Sequence, residues 1–300
     1  MKHKDKTYVR VKHELFIAIG LILVSLIIAC TLVGVVSVNY VLKPQSESNN
    51  ELDSRVFVRS VDETVLFAKE TVVNQEGHLW TLLIHSYRTD HDFMNPYAKE
   101  YQERGYNTLQ PDNRAHGNSE GKYIGMGYLD QYDILSWIDY IVEQDPEAEI
   151  VLHGVSMGGA ALMMLSGQED IPSNVKVIIE DCGYVSAEEY LTWKLKQRFS
   201  LPAFPILPIA NVAFKMAAGY YMEEASAIEG VKNSSTPTLF IHGDADETVP
   251  VEGVYRLYEA ASCPKRLYVV EGAGHGEALY KDEEAYWNEV FSFIDKNMTE

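Results

Sequence analysis

The sequence predicts an α/β chain: a doubly wound, mostly parallel sheet with a small helical cap, preceded by one N-terminal transmembrane helix. Three observations predict it. An uncharged apolar run opens the chain, short β-rich runs then alternate with amphipathic helical ones, and a proline-rich segment later interrupts that alternation. With 300 residues, 46% hydrophobic and 23% charged, the chain has enough apolar material for a sizeable core, which excludes collagen-like, low-complexity and wholly disordered classes.

From Leu15 to Leu42 no residue is charged, and the apolar stretch Leu15–Val38 would make a helix of about 36 Å, enough to cross a ~30 Å hydrocarbon layer. Lys2, Lys4, Lys6, Arg10 and Lys12 precede it, against Asp5 and Glu14. That positive excess holds the N-terminus in the cytoplasm and sends the remainder outside, to the cell surface. The expected organisation is a cytoplasmic basic segment over 1–14, a transmembrane anchor over 15–38, a linker over 39–54 and a catalytic domain over 55–300. Two rivals fit less well. A cleaved secretory signal has an apolar region of about 7–15 residues, shorter than this run. Ile27-Ile28-Ala29-Cys30 resembles a lipoprotein processing box that would lipidate Cys30, but Thr31-Leu32-Val33-Gly34-Val35-Val36 stays apolar where such a chain turns polar. All three readings put the catalytic part on the same side.

Lys and Arg total 25 against 44 Asp and Glu, a formal charge of −19. Five of those basic and two of those acidic residues precede Leu15, so the exported part carries −22. Such a surface repels polyphosphate, and nucleic acid is not an expected partner. The three cysteines, Cys30, Cys182 and Cys263, form no C-x-x-C pair, so neither a disulfide framework nor a zinc site is indicated.

Beyond the linker, Arg55–Val73 reads as an antiparallel pair of strands. Thr81–His85, Thr108–Pro111, Glu149–His153, Val175–Glu180, Thr236–His242 and Arg266–Glu271 are then apolar or β-branched runs ending in turn chemistry. Continuous apolar strands imply a sheet covered on both faces. Between them, Tyr128–Glu143 and Val251–Ala261 repeat apolar residues at helical spacing, which makes the sheet doubly wound and parallel. The segment from about 186 to 232 breaks this rhythm. Pro202, Pro205 and Pro208 fall within eight residues and argue against a regular helix there, so this insertion is expected to be a cap of short helices. Its Phe204, Phe214, Met216, Tyr220 and Tyr221 are candidates to line an acyl-binding pocket, or simply to hold the cap on the sheet.

His153-Gly154-Val155-Ser156-Met157-Gly158-Gly159 follows the strand Glu149–Leu152 and precedes the apolar helix Ala160–Leu165. This is G-x-S-x-G in strand–turn–helix context, a tight turn that pushes Ser156 into the open and needs small neighbours at Gly154 and Gly158. A serine hydroxyl is a poor nucleophile until a base takes its proton, and that base needs a carboxylate to orient it. His242-Gly243-Asp244-Ala245-Asp246-Glu247-Thr248-Val249-Pro250 supplies Asp244, Asp246 and Glu247 as candidate acids. Gly272-Ala273-Gly274-His275-Gly276 supplies the base. Of nine histidines, His85, His153 and His242 close strands and His78, His91 and His116 lie in turns or loops. His3 and His13 precede the span, and His275 alone is flanked by glycines late in the chain. The oxyanion of acyl transfer needs two N–H donors. Met157, after the nucleophile, should give one, and Tyr87, after the strand Thr81–His85, the other. Arg88 beside it reads as a loop arginine or a clamp for an anionic substrate group.

These residues resemble the α/β-hydrolase superfamily, in particular membrane-anchored bacterial cell-surface hydrolases of serine aminopeptidase and carboxylesterase type. The resemblance runs from about Val56 to Lys296. It includes Pro111-Asp112-Asn113-Arg114-Ala115-His116-Gly117-Asn118-Ser119-Glu120-Gly121, similar to the D-x-R-G-H-G-x-S-x-G turn of that superfamily. Ser86 and Ala115 stand where the superfamily usually has glycine, and Ala115 is expected to be harmless. The resemblance selects Asp246 as the acid. It implies hydrolysis of an ester, thioester or amide through Ser156, His275 and Asp246, with no metal or organic cofactor and a small-molecule or peptide acyl substrate. A peptidase acting on peptide N-termini, with Glu223 or Glu224 clamping the ammonium, is the alternative within enzymes. A non-catalytic surface binding module is the alternative outside them.

Overall fold

A computed structural model of the chain describes residues 2–45 and 54–298. Met1, residues 46–53 of the expected linker, and the last two residues lie outside the described residues. The chain runs α1 (Lys2–Val41), β1 (Arg55–Arg59), β2 (Val65–Thr71), β3 (Leu79–Ile84), α2 (Asn95–Glu103), β4 (Asn107–Pro111), α3 (Asp130–Gln144), β5 (Glu149–Val155) and α4 (Met157–Leu165). It continues with β6 (Val175–Asp181), α5 (Ala187–Phe199), α6 (Ala203–Ala218), α7 (Ala227–Asn233), β7 (Thr238–Gly243), α8 (Glu252–Ala260), β8 (Lys265–Val270), α9 (Ala278–Lys281) and α10 (Glu283–Met298). The eight strands form one sheet in the order β1-β2-β4-β3-β5-β6-β7-β8. Only β1–β2 and β2–β4 pair antiparallel. Every other neighbouring pair is parallel.

Alternation along the strands divides the core. Leu82, Ile84, Ile150, Leu152 and Ile178 face Ile134, Trp137 and Ile138 of α3 and Leu162 of α4. Leu83, Val151, Val177 and Ile179 face Tyr97 and Tyr101 of α2 and Trp287 and Val290 of α10. With both faces covered, the parallel strands can be apolar throughout, as the sequence indicated. The loops that carry Tyr87, Ser156, Cys182, Asp246 and His275 follow the carboxyl ends of β3, β5, β6, β7 and β8, the end at which such sheets bind ligands.

The segment between β6 and β7 departs from expectation in one respect. Helix α6 runs through Pro208, despite the three prolines. Its chain is kinked at Phe204, whose ψ of 134° turns away the carbonyl that a proline four residues on would meet, and Pro205 then starts the regular turns. A missing N–H in the first turn costs the helix little.

Helix α1 extends past the expected anchor, and within it Ile19–Val41 is long and apolar enough to cross a membrane by length and composition. Its last turns do not stand apart. Val38 and Leu42 are buried. The N–H of Ile124 donates to the Leu42 carbonyl at 3.1 Å, and that of Gln45 to Ala115 at 2.7 Å.

Candidate functional site

Ser156 sits between the last residue of β5 and the first of α4, at φ 55° and ψ −112°. Few side-chain-bearing residues adopt such a backbone, and the surroundings must enforce it. Here they do. A Cβ on Gly154 would drive into the backbone of Gly158, and one on Gly158 into the carbonyl of Ile84, so the strand and helix meet closely only because both are glycine. The Ser156 N–H is held by the Asp181 carbonyl at 2.7 Å.

The chain brings together three residues that the sequence singled out. Ser156 Oγ lies 2.8 Å from His275 Nε2. His275 Nδ1 lies 2.7 Å from Asp246 Oδ2. An ionised carboxylate only accepts, so Nδ1 carries the ring proton and Nε2 is left to accept from the serine hydroxyl. Asp246, and neither Asp244 nor Glu247, meets the imidazole: Asp244 Oδ1 instead accepts from the Gly272 N–H at 2.6 Å. The other oxygen of Asp246 accepts from the N–H groups of Thr248 (2.7 Å) and Val249 (2.9 Å). Burial favours its protonation, but the hydrogen bonds of His242 and His275 outweigh that and hold the carboxyl well below the usual range.

The loop after β3 carries the expected oxyanion donors' other half. The Arg88 N–H is committed to His116 Nε2 at 3.1 Å. His116 Nδ1 in turn donates to the Arg114 carbonyl at 3.0 Å. His116 is buried, which lowers its pKa and keeps it neutral, so Nε2 stays an acceptor. His85 is neutral for the same reason, pushed down to about 3, and its Nε2 accepts from the Asn113 N–H at 2.9 Å. These two rings tie the 86–88 turn to the 111–121 turn. The Tyr87 N–H belongs to the first of these turns, while the Met157 N–H, at the first position of α4, precedes any intrahelical acceptor. Ala115 in this second turn has φ 60°, the left-handed region, so an alanine is not free of cost there: about 1 kcal/mol relative to glycine.

Sequence reasoning missed two neighbours. Cys182, at the end of β6, offers its Sγ within 4.8 Å of ligand atoms of Asp246 and His275. Both nitrogens of His275 are already committed, and burial pushes the thiol's pKa well up, so this group suits hydrogen bonding better than metal ligation. All three cysteines are free. Arg88 is half-buried and tied back to α1: its Nη2 donates to the Tyr40 carbonyl, and the guanidinium lies over the Tyr40 and Tyr87 rings. The Tyr87 hydroxyl donates to the Val41 carbonyl at 2.7 Å. No local pattern signals partners more than forty residues apart. The expected acyl-pocket residues also divide: Phe214 and Tyr220 are buried, whereas Phe204, Met216 and Tyr221 are exposed and do not line an interior.

Strand order and elbow together define an α/β hydrolase. The sequence profile of the prolyl oligopeptidase family matches residues 92–300, and the chain belongs to that family. It is 30% identical over 200 residues to YqkD of Bacillus subtilis, covering 66% of this chain and 65% of that one. The chain thus spans less than two thirds of the length of that relative. A Saccharomyces cerevisiae relative, named as a membrane protein, is 27% identical over 201 residues, covering 65% of this chain and 62% of its own. Among solved structures, the Pyrococcus furiosus esterase Pf2001 superposes with a TM-score of 0.70 at 20% identity, over 86% of this chain and 98% of that one, a likeness of fold.

Proposed function

We propose that the chain is a serine hydrolase that cleaves an ester through an acyl-enzyme on Ser156, at the outer face of a membrane that α1 spans. The observation that carries it is the unbroken hydrogen-bond chain Ser156 Oγ, His275, Asp246 on three separate loops. As Oγ attacks the acyl carbon, its proton passes to His275 Nε2, and the imidazolium is stabilised by Asp246. The oxyanion accepts from the N–H groups of Met157 and Tyr87. The bond to the leaving alcohol breaks as Nε2 returns the proton, and water then repeats the cycle on the acyl-enzyme. The 186–232 segment serves as the cap. Anchoring agrees with the length of Ile19–Val41 and with the name of the yeast relative.

Cleavage of peptides is the second reading, favoured by the family match. Against it, the carboxylates that would clamp an ammonium are engaged: Glu223 accepts from Asn211 at 2.7 Å, and Glu224 accepts from the Tyr221 N–H and pairs with Lys215. Hydrolysis of short p-nitrophenyl esters should exceed that of aminoacyl-anilides. Ser156→Ala should lower ester turnover by roughly 10⁴-fold or more, with the thermal midpoint held. Undiminished turnover in that variant would refute the assignment.

A further inference from the structure

Helix α6 is apolar except at Asn211 and Lys215, which meet Glu223 and Glu224, and only part of its apolar surface is used within the chain. Ile206, Ala210 and Phe214, four residues apart, are buried toward the body. A second flank meets α1, where a Cβ on Gly34 would lie 2.9 Å from Ile209. A third set is left facing out: Phe204 at the entry is 78% exposed, Val212 55% and Met216 84%. Phe199 and Leu201, leading into α6, are exposed too. An apolar face of this size on a helix belongs against protein or against lipid.

Three features say which. The first is depth. Gly34 follows Leu15 by nineteen residues, about 28 Å of helix. A hydrocarbon layer of ~30 Å that begins at Leu15 therefore ends beside the point where α6 touches α1. The second is charge. Between Tyr190 and Met222 the chain has Lys194, Lys196, Arg198 and Lys215 and no carboxylate, although acids total 44 against 25 bases overall. Cationic residues flanking an apolar helix face match an anionic lipid surface. The third is continuity with the site: Tyr87, beside the proposed oxyanion position, is bonded to the carbonyl of Val41, seven residues or about 10 Å of helix beyond Gly34.

We propose that the cap segment from the end of α5 through α6 lies on the outer leaflet as a second membrane contact, with Phe204, Val212 and Met216 in the acyl-chain boundary. The acyl ester reaching Ser156 is then a membrane-resident lipid that leaves the bilayer beside α1. The substrate clause rests on the hydrolase reading above, and the docking clause on α1 spanning the bilayer.

The test uses the full chain reconstituted in vesicles of phosphatidylcholine and phosphatidylglycerol, with bromine on the acyl chains as a quencher. Phe204→Trp and Met216→Trp are compared with Val73→Trp. Val73 is exposed and follows β2, whose Thr71 pairs with Thr108 near the start of β4, at the opposite end of the sheet from the site. The added fluorescence of the two cap tryptophans should be quenched roughly twofold or more beyond that of Val73→Trp, as expected for side chains reaching ~5–10 Å into the boundary. Equal quenching overturns the docking. So does cap fluorescence shielded from quencher in a chain whose mass doubles in detergent, which would give the face to a second copy. A parallel measurement follows pyrene-labelled phosphatidylglycerol and p-nitrophenyl butyrate. The double variant Phe204→Ser, Met216→Ser should lose about tenfold on the vesicle-borne ester while holding its rate on the soluble one. Equal losses on both overturn delivery from the bilayer. Absence of both activities in the unaltered chain counts against the hydrolase reading alone, because quenching judges the docking without any turnover.

Discussion

The loops at the carboxyl ends of β5, β7 and β8 and the layer formed by α1 with α6 hold their residues by different means. In the loops, both carboxylate oxygens of Asp246 have partners, Ser156 is kept at φ 55° by backbone contacts that admit no side chain at Gly154 or Gly158, and His275 is bonded at both ring nitrogens. In the layer, small and apolar residues such as Gly34, Ile209 and Val38 make the contact, with two hydrogen bonds from Tyr87 and Arg88 to the end of α1. On the proposed function, the difference separates where chemistry and where delivery would reside. Proton transfer needs positions held to fractions of an ångström, and hydrogen bonds on a rigid sheet give that. A lipid-facing layer needs only area and shape.

Changes in the first region should therefore cost far more activity than changes in the second. Asp246→Asn preserves shape but lets His275 adopt the wrong tautomer, and kcat for a soluble ester should fall by about 10⁴-fold. A fall of tenfold or less, measured with the folded variant, would erase the contrast. Arg88→Ala removes the bond to the Tyr40 carbonyl and frees the turn that bears Tyr87. Kinetics of the full chain should show kcat lowered by roughly 3- to 30-fold with KM nearly unchanged. A loss as large as that of Asp246→Asn would mean that the layer is part of the rigid site.

The smallest effect concerns stability near the loops. Glu180 is buried at the end of β6, with Oε2 accepting from the Gly183 N–H at 3.0 Å, and burial pushes its pKa up to about 8. The folded state then binds a proton that the unfolded chain, with an ordinary glutamate, has already lost above about pH 4. Stability from this group falls as pH rises from there through about 8. Glu180→Gln should remove that slope and raise the thermal midpoint at pH 8 by a few degrees, on the order of 3 °C, with little change at pH 4. Asp246 has the opposite sign: its depressed pKa adds stability above the ordinary aspartate range that is lost only as pH falls through its lower folded value. Equal midpoints for Glu180→Gln and the unaltered chain at pH 8 would contradict the first part.

How much of this was legible depends on how far each feature reaches along the chain. The strands were, because sheet burial on both faces leaves continuous apolar runs such as Ile150–Leu152. So was the turn at Ser156, since the strand–turn–helix pattern is local and Gly154 is fixed by Gly158 four residues on, although the contact that fixes Gly158 is with the distant Ile84 carbonyl. The acid was only half legible: three carboxylates share one loop, and what separates Asp246 is burial against His242, which spacing does not reveal. The proline cluster misled, because Pro208 is harmful to a helix only if the residue four before it is helical, and Phe204 is not. Phe204 and Met216 read as pocket lining because an apolar helix gives no internal sign of which flank faces in. The partners of Arg88 were illegible altogether, lying in a helix that sequence treats as a separate anchor.

The central claim is that Ser156 is a nucleophile made reactive by His275. Incubating the folded chain with a fluorophosphonate and mapping the adduct by mass spectrometry tests it most directly. One adduct per chain on Ser156, with labelling slowed by roughly 10³-fold or more in His275→Ala, is the predicted result. No adduct, or an adduct that forms as fast without the imidazole, would contradict it.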